Sequence, residues 1–197
     1  MLFRSPLDKY TPVTDALLSN PPAGEWLTWR RGYDGAGFSP LKQITKQNVG
    51  DLRTAWSWSL PNGSNEGTPL FHDGVLFVHA FGDKVQALDA ATGDLLWQYS
   101  RRLPMGVNPT VKRAIAIYGD KVYTGTSDVH VVALDAKTGR VVWDKAVADP
   151  KAGFGLTGGV MVAKGKVIAG TTGRGPGGNY IVAFDANTGQ EIGRAHV

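Results

Sequence analysis

The chain has 197 residues, of which 42% are hydrophobic and 19% are charged, and its net charge is +4. This composition is typical of a globular protein that can bury a sizeable core. The basic residues are scattered along the chain, which excludes the clustered pattern of a nucleic-acid-binding protein. Because there are no cysteines, disulfides and thiolate metal sites are excluded, and no apolar run is long enough to span a membrane.

The first part of the chain is rich in proline and only weakly periodic. Within it, VTDALLSN predicts a short helix that is capped by Thr14 or Asp15 and ends before two prolines. A glycine-rich stretch follows, then a predicted helical turn within residues 45–52 and a predicted strand at residues 54–60. That strand carries Trp56 and Trp58 but belongs to no complete repeat.

From residue 66 onward a pattern of four short strands occurs three times. Each unit ends on one related phrase: ALDAATGDLLW, ALDAKTGRVVW or AFDANTGQEIG. The aspartates of the phrase, Asp89, Asp135 and Asp185, are 46 and 50 residues apart, a period typical of propellers and repeat arrays. Four antiparallel strands per unit form one propeller blade. We therefore predict an all-β fold, a β-propeller of four-stranded antiparallel blades.

Each repeated phrase predicts a hairpin around the turn Asp-Ala-x-Thr-Gly. The turn glycines should adopt a positive φ. Trp97 and Trp143, fixed at the far end of the phrase, should be buried at the seams between blades. In the third repeat Gly193 takes this place, within a terminal EIGRAHV that resembles one reading frame of a sequencing-library adapter. The third blade is therefore expected to be incomplete.

These patterns divide the chain into two parts. Residues 1–60 are an N-terminal segment with a closing strand, because a stray terminal strand completes the last blade in many closed propellers. Residues 61–197 are the first three blades, and the domain is expected to continue beyond the chain, because three blades cannot close a ring.

Polar residues precede the first strand of each unit, namely Glu66, Arg113 and Thr157. In a propeller such strand ends line the central channel, where convergent polar groups form the usual site. The alternative is that strand starts are simply hydrophilic.

The sequence GRGPGG at residues 173–178 precedes a strand rather than a helix, so it does not predict a dinucleotide site. The four histidines show no ligand spacing, and His72, at a turn, is expected to face solvent.

The repeated phrase resembles the tryptophan-docking repeat of the pyrroloquinoline-quinone (PQQ) dehydrogenases, which are eight-bladed propellers. The stretches WRRGYDGAGFSPLKQITKQNVGDLRTAW and EGTPLFHDGVLFV are similar to the start of the alcohol dehydrogenases of that family. The repeat alone is shared with non-enzymatic propellers, whereas these two stretches are more specific. The resemblance implies a periplasmic enzyme that oxidises small alcohols to aldehydes and passes electrons to a cytochrome c or a quinone.

The resemblance also implies the cofactor-binding residues. Glu66 and Arg113 would contact PQQ, Thr157 and Thr172 would supply hydroxyl donors, and Gly173 would let the backbone approach the ring system. An arginine suits a cofactor with three carboxylates, because charge-assisted bidentate bonds are strong. The family also uses a calcium or lanthanide cation as a Lewis acid. The catalytic aspartate is expected downstream of this chain, which would be inactive alone.

Two features depart from the family pattern. Many alcohol dehydrogenases carry adjacent cysteines just before the arginine, but MGVNPTVKR has none. After Thr172 and Gly173, well-known members place a cation-binding glutamate where this chain has Arg174 and Gly175. Two alternatives therefore stay open: a quinone-free propeller scaffold, like the outer-membrane assembly lipoproteins that share the docking phrase, and a PQQ-like sensor domain.

Overall fold

A computed structural model describes residues 5–196. The first part contains one α-helix, α1 (Asp15–Ser19), and short 3-10 turns at Pro6–Lys9 and Val49–Asp51. The hydroxyl of Thr14 accepts a hydrogen bond from the backbone N–H of Leu17, which confirms the predicted cap of α1. None of the helices within residues 5–196 has the length and apolar character needed to cross a membrane.

The remainder of the chain forms three four-stranded antiparallel sheets, each with its strands in chain order, and one small two-stranded ladder. This arrangement confirms the predicted blades. The turn residues determine where each strand ends, and the alternation of apolar residues determines which face of it is buried. The strands are β1 (Leu70–His72), β2 (Val75–Ala80), β3 (Lys84–Asp89), β4 (Leu95–Ser100), β5 (Ala116–Tyr118), β6 (Lys121–Gly125), β7 (His130–Asp135), β8 (Val141–Ala146), β9 (Phe154–Gly155), β10 (Val160–Ala163), β11 (Lys166–Gly170), β12 (Thr172–Gly173), β13 (Tyr180–Asp185) and β14 (Glu191–His196).

The third sheet differs from the incomplete blade that the sequence predicts, because β14 pairs with β13 along its length. Backbone hydrogen bonds hold this strand, and they do not require the missing tryptophan. Gly193 opposes Ala183, just as Trp97 opposes Ala87 in the first sheet. All six residues of β14 are exposed. The backbone of the third blade is therefore complete, and the missing part is the docking side chain.

The repeated turn is built around its aspartate. In the second blade, one carboxylate oxygen of Asp135 accepts hydrogen bonds from the backbone N–H of Thr138 at 2.8 Å and from its hydroxyl at 2.7 Å. Gly139 follows with a φ of 68°, as predicted for the turn glycine. A Cβ added to Gly139 would lie only 2.5 Å from a ring atom of Trp97. The glycine is therefore required by both the backbone conformation and the neighbouring indole.

The tryptophans of the phrase dock onto the turn of the next blade. Trp97 donates a hydrogen bond from its indole nitrogen to the carbonyl oxygen of Ala136 at 2.9 Å, and Trp143 donates one to Ala186 at 3.0 Å. The two residues are only 8% and 7% exposed, which confirms their predicted burial at the seams. Tyr123 also donates to the carbonyl oxygen of Ala186, at 3.0 Å.

Residues 54–60 do not form the predicted strand in this structure, because a strand needs a hydrogen-bonded neighbour and the described residues provide none. The segment nevertheless docks like the outer strand of a blade. Trp56 donates to the carbonyl oxygen of Ala90 at 3.1 Å and covers Gly93, where an added Cβ would lie 2.7 Å from the ring. Trp58 donates to the side chain of Gln86 at 3.2 Å.

The hydrophobic core is divided between the two seams. One cluster joins the first and second sheets and includes Phe77, Trp97 and Leu134. The other joins the second and third sheets and includes Tyr123 and Phe184. Successive residues of the second sheet alternate between the two clusters, because the side chains of a strand point to opposite faces. The middle blade is therefore buried on both faces.

Residues 5–33, which we term the N-terminal strap, cross all three sheets. Backbone bridges join Val13 to Gly119 in the second blade and Trp26 to Phe71 in the first. The hydroxyl of Tyr33 donates to the carbonyl oxygen of Val162 in the third blade at 2.7 Å. Because the strap contacts every sheet, it fixes the three blades relative to one another.

Candidate functional site

The segments that precede the first strands of the three sheets lie side by side. The backbone N–H of Thr68, before β1, donates to the carbonyl oxygen of Arg113, before β5, at 3.2 Å. Gly159, before β10, packs against Ala114 so closely that a Cβ would lie 2.3 Å from its carbonyl oxygen. The polar residues predicted to converge therefore lie on adjacent strand starts at one end of the sheets.

Glu66 and Arg113 form an ion pair across the start of the first seam. Their closest oxygen and nitrogen atoms are 3.0 Å apart, and the side chains are 48% and 51% exposed. An ion pair this exposed contributes only about 0.2–1 kcal/mol. A hydrogen bond to a charged ligand contributes about 1.5–3 kcal/mol. The guanidinium of Arg113 can therefore exchange its protein partner for an anionic ligand.

Thr157 and Thr172 form a second pair, with hydroxyl oxygens 3.3 Å apart. Thr172 belongs to β12, which pairs with β9. Gly173 follows with a φ of 104°, and an added Cβ would lie 2.2 Å from the carbonyl oxygen of Gly153. The glycine is thus required by the close approach of β9 and β12, a structural reason that sequence reasoning did not provide.

The five predicted cofactor residues thus lie in two groups. Within residues 5–196, no hydrogen bond joins the Glu66–Arg113 pair to the Thr157–Thr172 pair, although their segments are neighbours. A largely apolar cavity of about 640 Å³ lies along β5, β10 and the N-terminal strap, and Arg113 contributes to its lining. Its volume is in the range of small-molecule sites. The other four predicted residues lie outside this lining.

The donors of this site fit PQQ better than they fit a cation. One guanidinium, two hydroxyls and a close-packed backbone suit a flat, carboxylated quinone. The loop after Gly173 offers no carboxylate: Arg174 is exposed, and Gly175 packs against Phe154, whose ring would lie 2.2 Å from an added Cβ. The residues of this loop therefore do not fit a cation.

The interpretation of His72 as a solvent-facing residue is wrong, because this side chain is only 2% exposed. Its Nδ1 lies 2.8 Å from a carboxylate oxygen of Glu25, and its Nε2 lies 2.8 Å from the carbonyl oxygen of Thr11. A carboxylate and a carbonyl oxygen both accept hydrogen bonds, so this geometry favours an imidazole that donates from both ring nitrogens. Burial alone lowers the pKa of His72, but the hydrogen bonds to Glu25 and Thr11 outweigh it and raise the pKa.

We term the cluster of Thr11, Glu25, His72 and Asp73 the clasp, because it joins the N-terminal strap to the first blade. Asp73 contributes by accepting hydrogen bonds from the backbone N–H and the hydroxyl of Thr11, both at 2.7 Å. Glu25, His72 and Asp73 are close enough to hold a metal ion. A doubly protonated imidazole has no lone pair to offer a metal, so the geometry favours a structural ion cluster.

Comparisons with known proteins agree with the predicted fold. The PQQ_2 family model, described as outer membrane protein assembly factor BamB, matches residues 43–196. Quinohemoprotein alcohol dehydrogenase ADH IIB of Pseudomonas putida is 44% identical over 174 residues, which cover 85% of this chain and 25% of that protein.

Two solved structures superimpose closely on the chain. Quinohemoprotein alcohol dehydrogenase from Comamonas testosteroni has a TM-score of 0.84 at 32% identity, covering 96% of this chain and 30% of that one. A europium-containing methanol dehydrogenase has a TM-score of 0.82 at 30% identity, covering 92% and 34%. The chain thus spans about a quarter to a third of the length of these relatives. It belongs to the family of the PQQ-dependent, or quinoprotein, alcohol dehydrogenases.

Proposed function

We propose that the protein containing this chain oxidises alcohols to aldehydes with PQQ as cofactor. The observation that carries the proposal is the position of Arg113. It lies just before β5, paired with Glu66 from the neighbouring blade, where the segments that precede the first strands of the three sheets lie side by side. Relatives that share this segment are alcohol dehydrogenases by name.

Each residue of the site has a role that follows from its chemistry. PQQ supplies the quinone that accepts the electrons of the alcohol. Arg113 would bind a cofactor carboxylate by charge-assisted hydrogen bonds in place of its exposed pairing with Glu66, and Glu66 would contact the quinone. Thr157 and Thr172 would donate hydroxyl hydrogen bonds to polar atoms of the cofactor. The backbone of Gly173 would face the ring system of the cofactor, in line with the family resemblance.

The remaining parts of the enzyme are assigned to the rest of the propeller. We place residues 54–60 as the outer strand of the last blade of an eight-bladed ring, because Trp56 docks as Trp97 and Trp143 do. The ligands of a calcium or lanthanide cation and the catalytic aspartate would come from other blades, so the chain alone would be inactive. A periplasmic location, with a cytochrome c or a quinone as electron acceptor, rests on the family resemblance.

One observation favours a second candidate, a quinone-free scaffold. The matching family model is described as an outer-membrane assembly factor, and the loop after Gly173 lacks a carboxylate. A scaffold of this kind would not need Arg113. Cofactor-dependent activity therefore separates the two functions.

The test uses the full-length protein, purified without PQQ. Adding PQQ, with calcium or with a lanthanide, should produce alcohol-dependent reduction of an artificial electron acceptor. Arg113→Ala should reduce this activity, whereas Arg102→Ala, an exposed arginine in the same loop, should leave it unchanged. Absence of PQQ-dependent oxidation by the wild type with either cation would contradict the enzyme and favour the scaffold.

A further inference from the structure

The loop that carries Arg113 contains a buried lysine. Residues 101–115, between β4 and β5, have no regular secondary structure. The side chain of Lys112 is nevertheless only 2% exposed, whereas that of the next residue, Arg113, is 51% exposed. Lysine is rarely buried unless it is paired. Adjacent residues of one irregular loop therefore point in opposite directions, one into the protein and one toward the candidate site.

Lys112 joins the loop to turns of two blades. Its ammonium donates to the hydroxyl of Thr110 and, at 3.1 Å, to the hydroxyl of Ser127 in the β6–β7 turn. The same nitrogen lies 3.5 Å from a carboxylate oxygen of Asp83 in the β2–β3 turn, and the side chain of Asp83 is only 1% exposed. The other oxygen of Asp83 accepts the backbone N–H of Ser127 at 2.7 Å.

Backbone contacts of the loop lie on either side of the buried side chain of Lys112. The N–H of Thr110 donates to the hydroxyl of Ser127 at 2.9 Å, two residues before Lys112. The carbonyl oxygen of Arg113 accepts the N–H of Thr68 at 3.2 Å, one residue after it. The side chain of Lys112 lies between these two backbone contacts, so it is a third attachment of the segment that carries Arg113.

We propose that Lys112 is a positioning residue that fixes Arg113 toward the candidate site. Its expected effect on cofactor binding rests on the proposed function. The effect on the loop itself does not, and it is observable without any cofactor. If the ion pair of Lys112 only stabilised the fold, its loss would lower stability without a specific effect on Arg113.

The first test measures PQQ affinity in the full-length protein with a double-mutant cycle. Lys112→Met should weaken PQQ binding by roughly tenfold, because the charge-assisted contact of Arg113 is partly lost. In an Arg113→Ala background, Lys112→Met should have no further effect. Lys145→Met, which removes an exposed lysine of β8, is the control and should bind PQQ as the wild type does. Equal weakening in both backgrounds, or none in either, would overturn the proposal.

The second test uses the same protein without cofactor. In Lys112→Met, hydrogen exchange of the Thr68 and Thr110 amides should accelerate, relative to amides of β7, whereas Arg113→Ala should leave the Thr110 amide protected. Unchanged protection in Lys112→Met would overturn the proposal. If the wild type binds no PQQ, the proposed function fails, and this exchange experiment still decides whether Lys112 holds the loop.

A further variant protects both tests against loss of folding. Lys112→Met leaves the buried carboxylate of Asp83 without its counter-charge, which is destabilising. Lys112→Met combined with Asp83→Asn removes both charges, and asparagine tolerates the φ of 52° at this position. The double variant should fold and still show the weakened PQQ binding and the faster exchange at Thr110. Normal binding and exchange in this variant would overturn the proposal.

Discussion

The indole of Trp97 donates a 2.9 Å hydrogen bond to the carbonyl oxygen of Ala136 and covers Gly139 in the same turn. Each repeated phrase therefore contributes to two seams. Its turn contacts the tryptophan of the previous blade, and its own tryptophan contacts the turn of the following blade. Trp143 repeats this relationship with Ala186, and Trp56 repeats it with Ala90. The repeat thus specifies blade-to-blade packing as well as strand pairing.

The seams should dominate the stability of the propeller. Trp143 is 7% exposed and packs between Tyr123 and Phe184, with ring centroids 5.7 Å and 6.2 Å away. Trp143→Ala in the full-length protein should lower the free energy of unfolding by about 3–5 kcal/mol, as large-to-small core changes do. Denaturant unfolding measures this loss. Trp29→Ala, at a residue 59% exposed, is the control, and an equal loss in both variants would contradict docking at the seam.

The turn glycine should be needed for the indole as well as for its φ. Gly139 and Gly82 both have a positive φ, of 68° and 81°. Only Gly139 has an indole against it, since an added Cβ at Gly82 meets no atom within 4 Å. Gly82→Ala should therefore cost only the backbone strain, about 1–2 kcal/mol, and Gly139→Ala should cost clearly more. Equal losses in thermal unfolding would show that Trp97 does not press on the turn.

The 197-residue chain expressed alone should self-associate or melt without cooperativity. Met161 and Ile181, on the face of the third blade that is turned away from the second, are 54% and 45% exposed, and Phe38 is 69% exposed. Open ends of repeat arrays need capping. Light scattering and calorimetry measure the outcome, and a sharp melt of a monomer would show that the strap and three blades are self-sufficient.

The His72 clasp should make stability depend on pH. Hydrogen bonds to Glu25 and Thr11 outweigh burial and raise the pKa of His72 above its ordinary value of about 6.5. A raised pKa in the folded state stabilises the protein fully below about pH 6.5, and this contribution is lost as the pH rises through the folded-state pKa.

The pH dependence is measured as the Tm difference between the full-length wild type and His72→Gln. This difference should be largest below about pH 6.5 and should shrink as the pH rises through the raised folded-state pKa of His72. His130→Gln, at a partly exposed histidine of β7, controls for the loss of a histidine in general. A His72 difference that stays constant over this range would contradict the charged clasp.

Local chemistry made most of the fold predictable from the sequence. The turn at Asp135 and Gly139 depends on contacts within five residues, and the strands follow from apolar alternation. The fourth strand of the third blade was missed because its prediction relied on a tryptophan where Gly193 stands, although backbone pairing does not need one. Residues 54–60 are not paired as a strand here, because an apolar pattern cannot supply the neighbouring strand that it needs.

The candidate site was only partly predictable, because its contacts join distant parts of the chain. Strand starts at equivalent repeat positions predicted that Glu66 and Arg113 would be close. The clasp was missed because Glu25 lies 47 residues from His72, and no spacing rule relates them. The buried contact between Lys112 and Asp83 was missed for the same reason, since the two residues belong to different loops between strands. A buried lysine has no signature in a single sequence.

Binding of PQQ through Arg113 is the central claim, and a titration of the full-length protein, purified without PQQ, tests it most directly. PQQ is added with calcium or a lanthanide, and tryptophan fluorescence reports the Kd of the wild type, Arg113→Ala and Arg102→Ala. Loss of a charge-assisted contact costs about 1.5–3 kcal/mol, so Arg113→Ala should weaken binding roughly tenfold to a hundredfold. Arg102→Ala should match the wild type. Failure of the wild type to bind PQQ, or equal affinity in Arg113→Ala, would contradict the account.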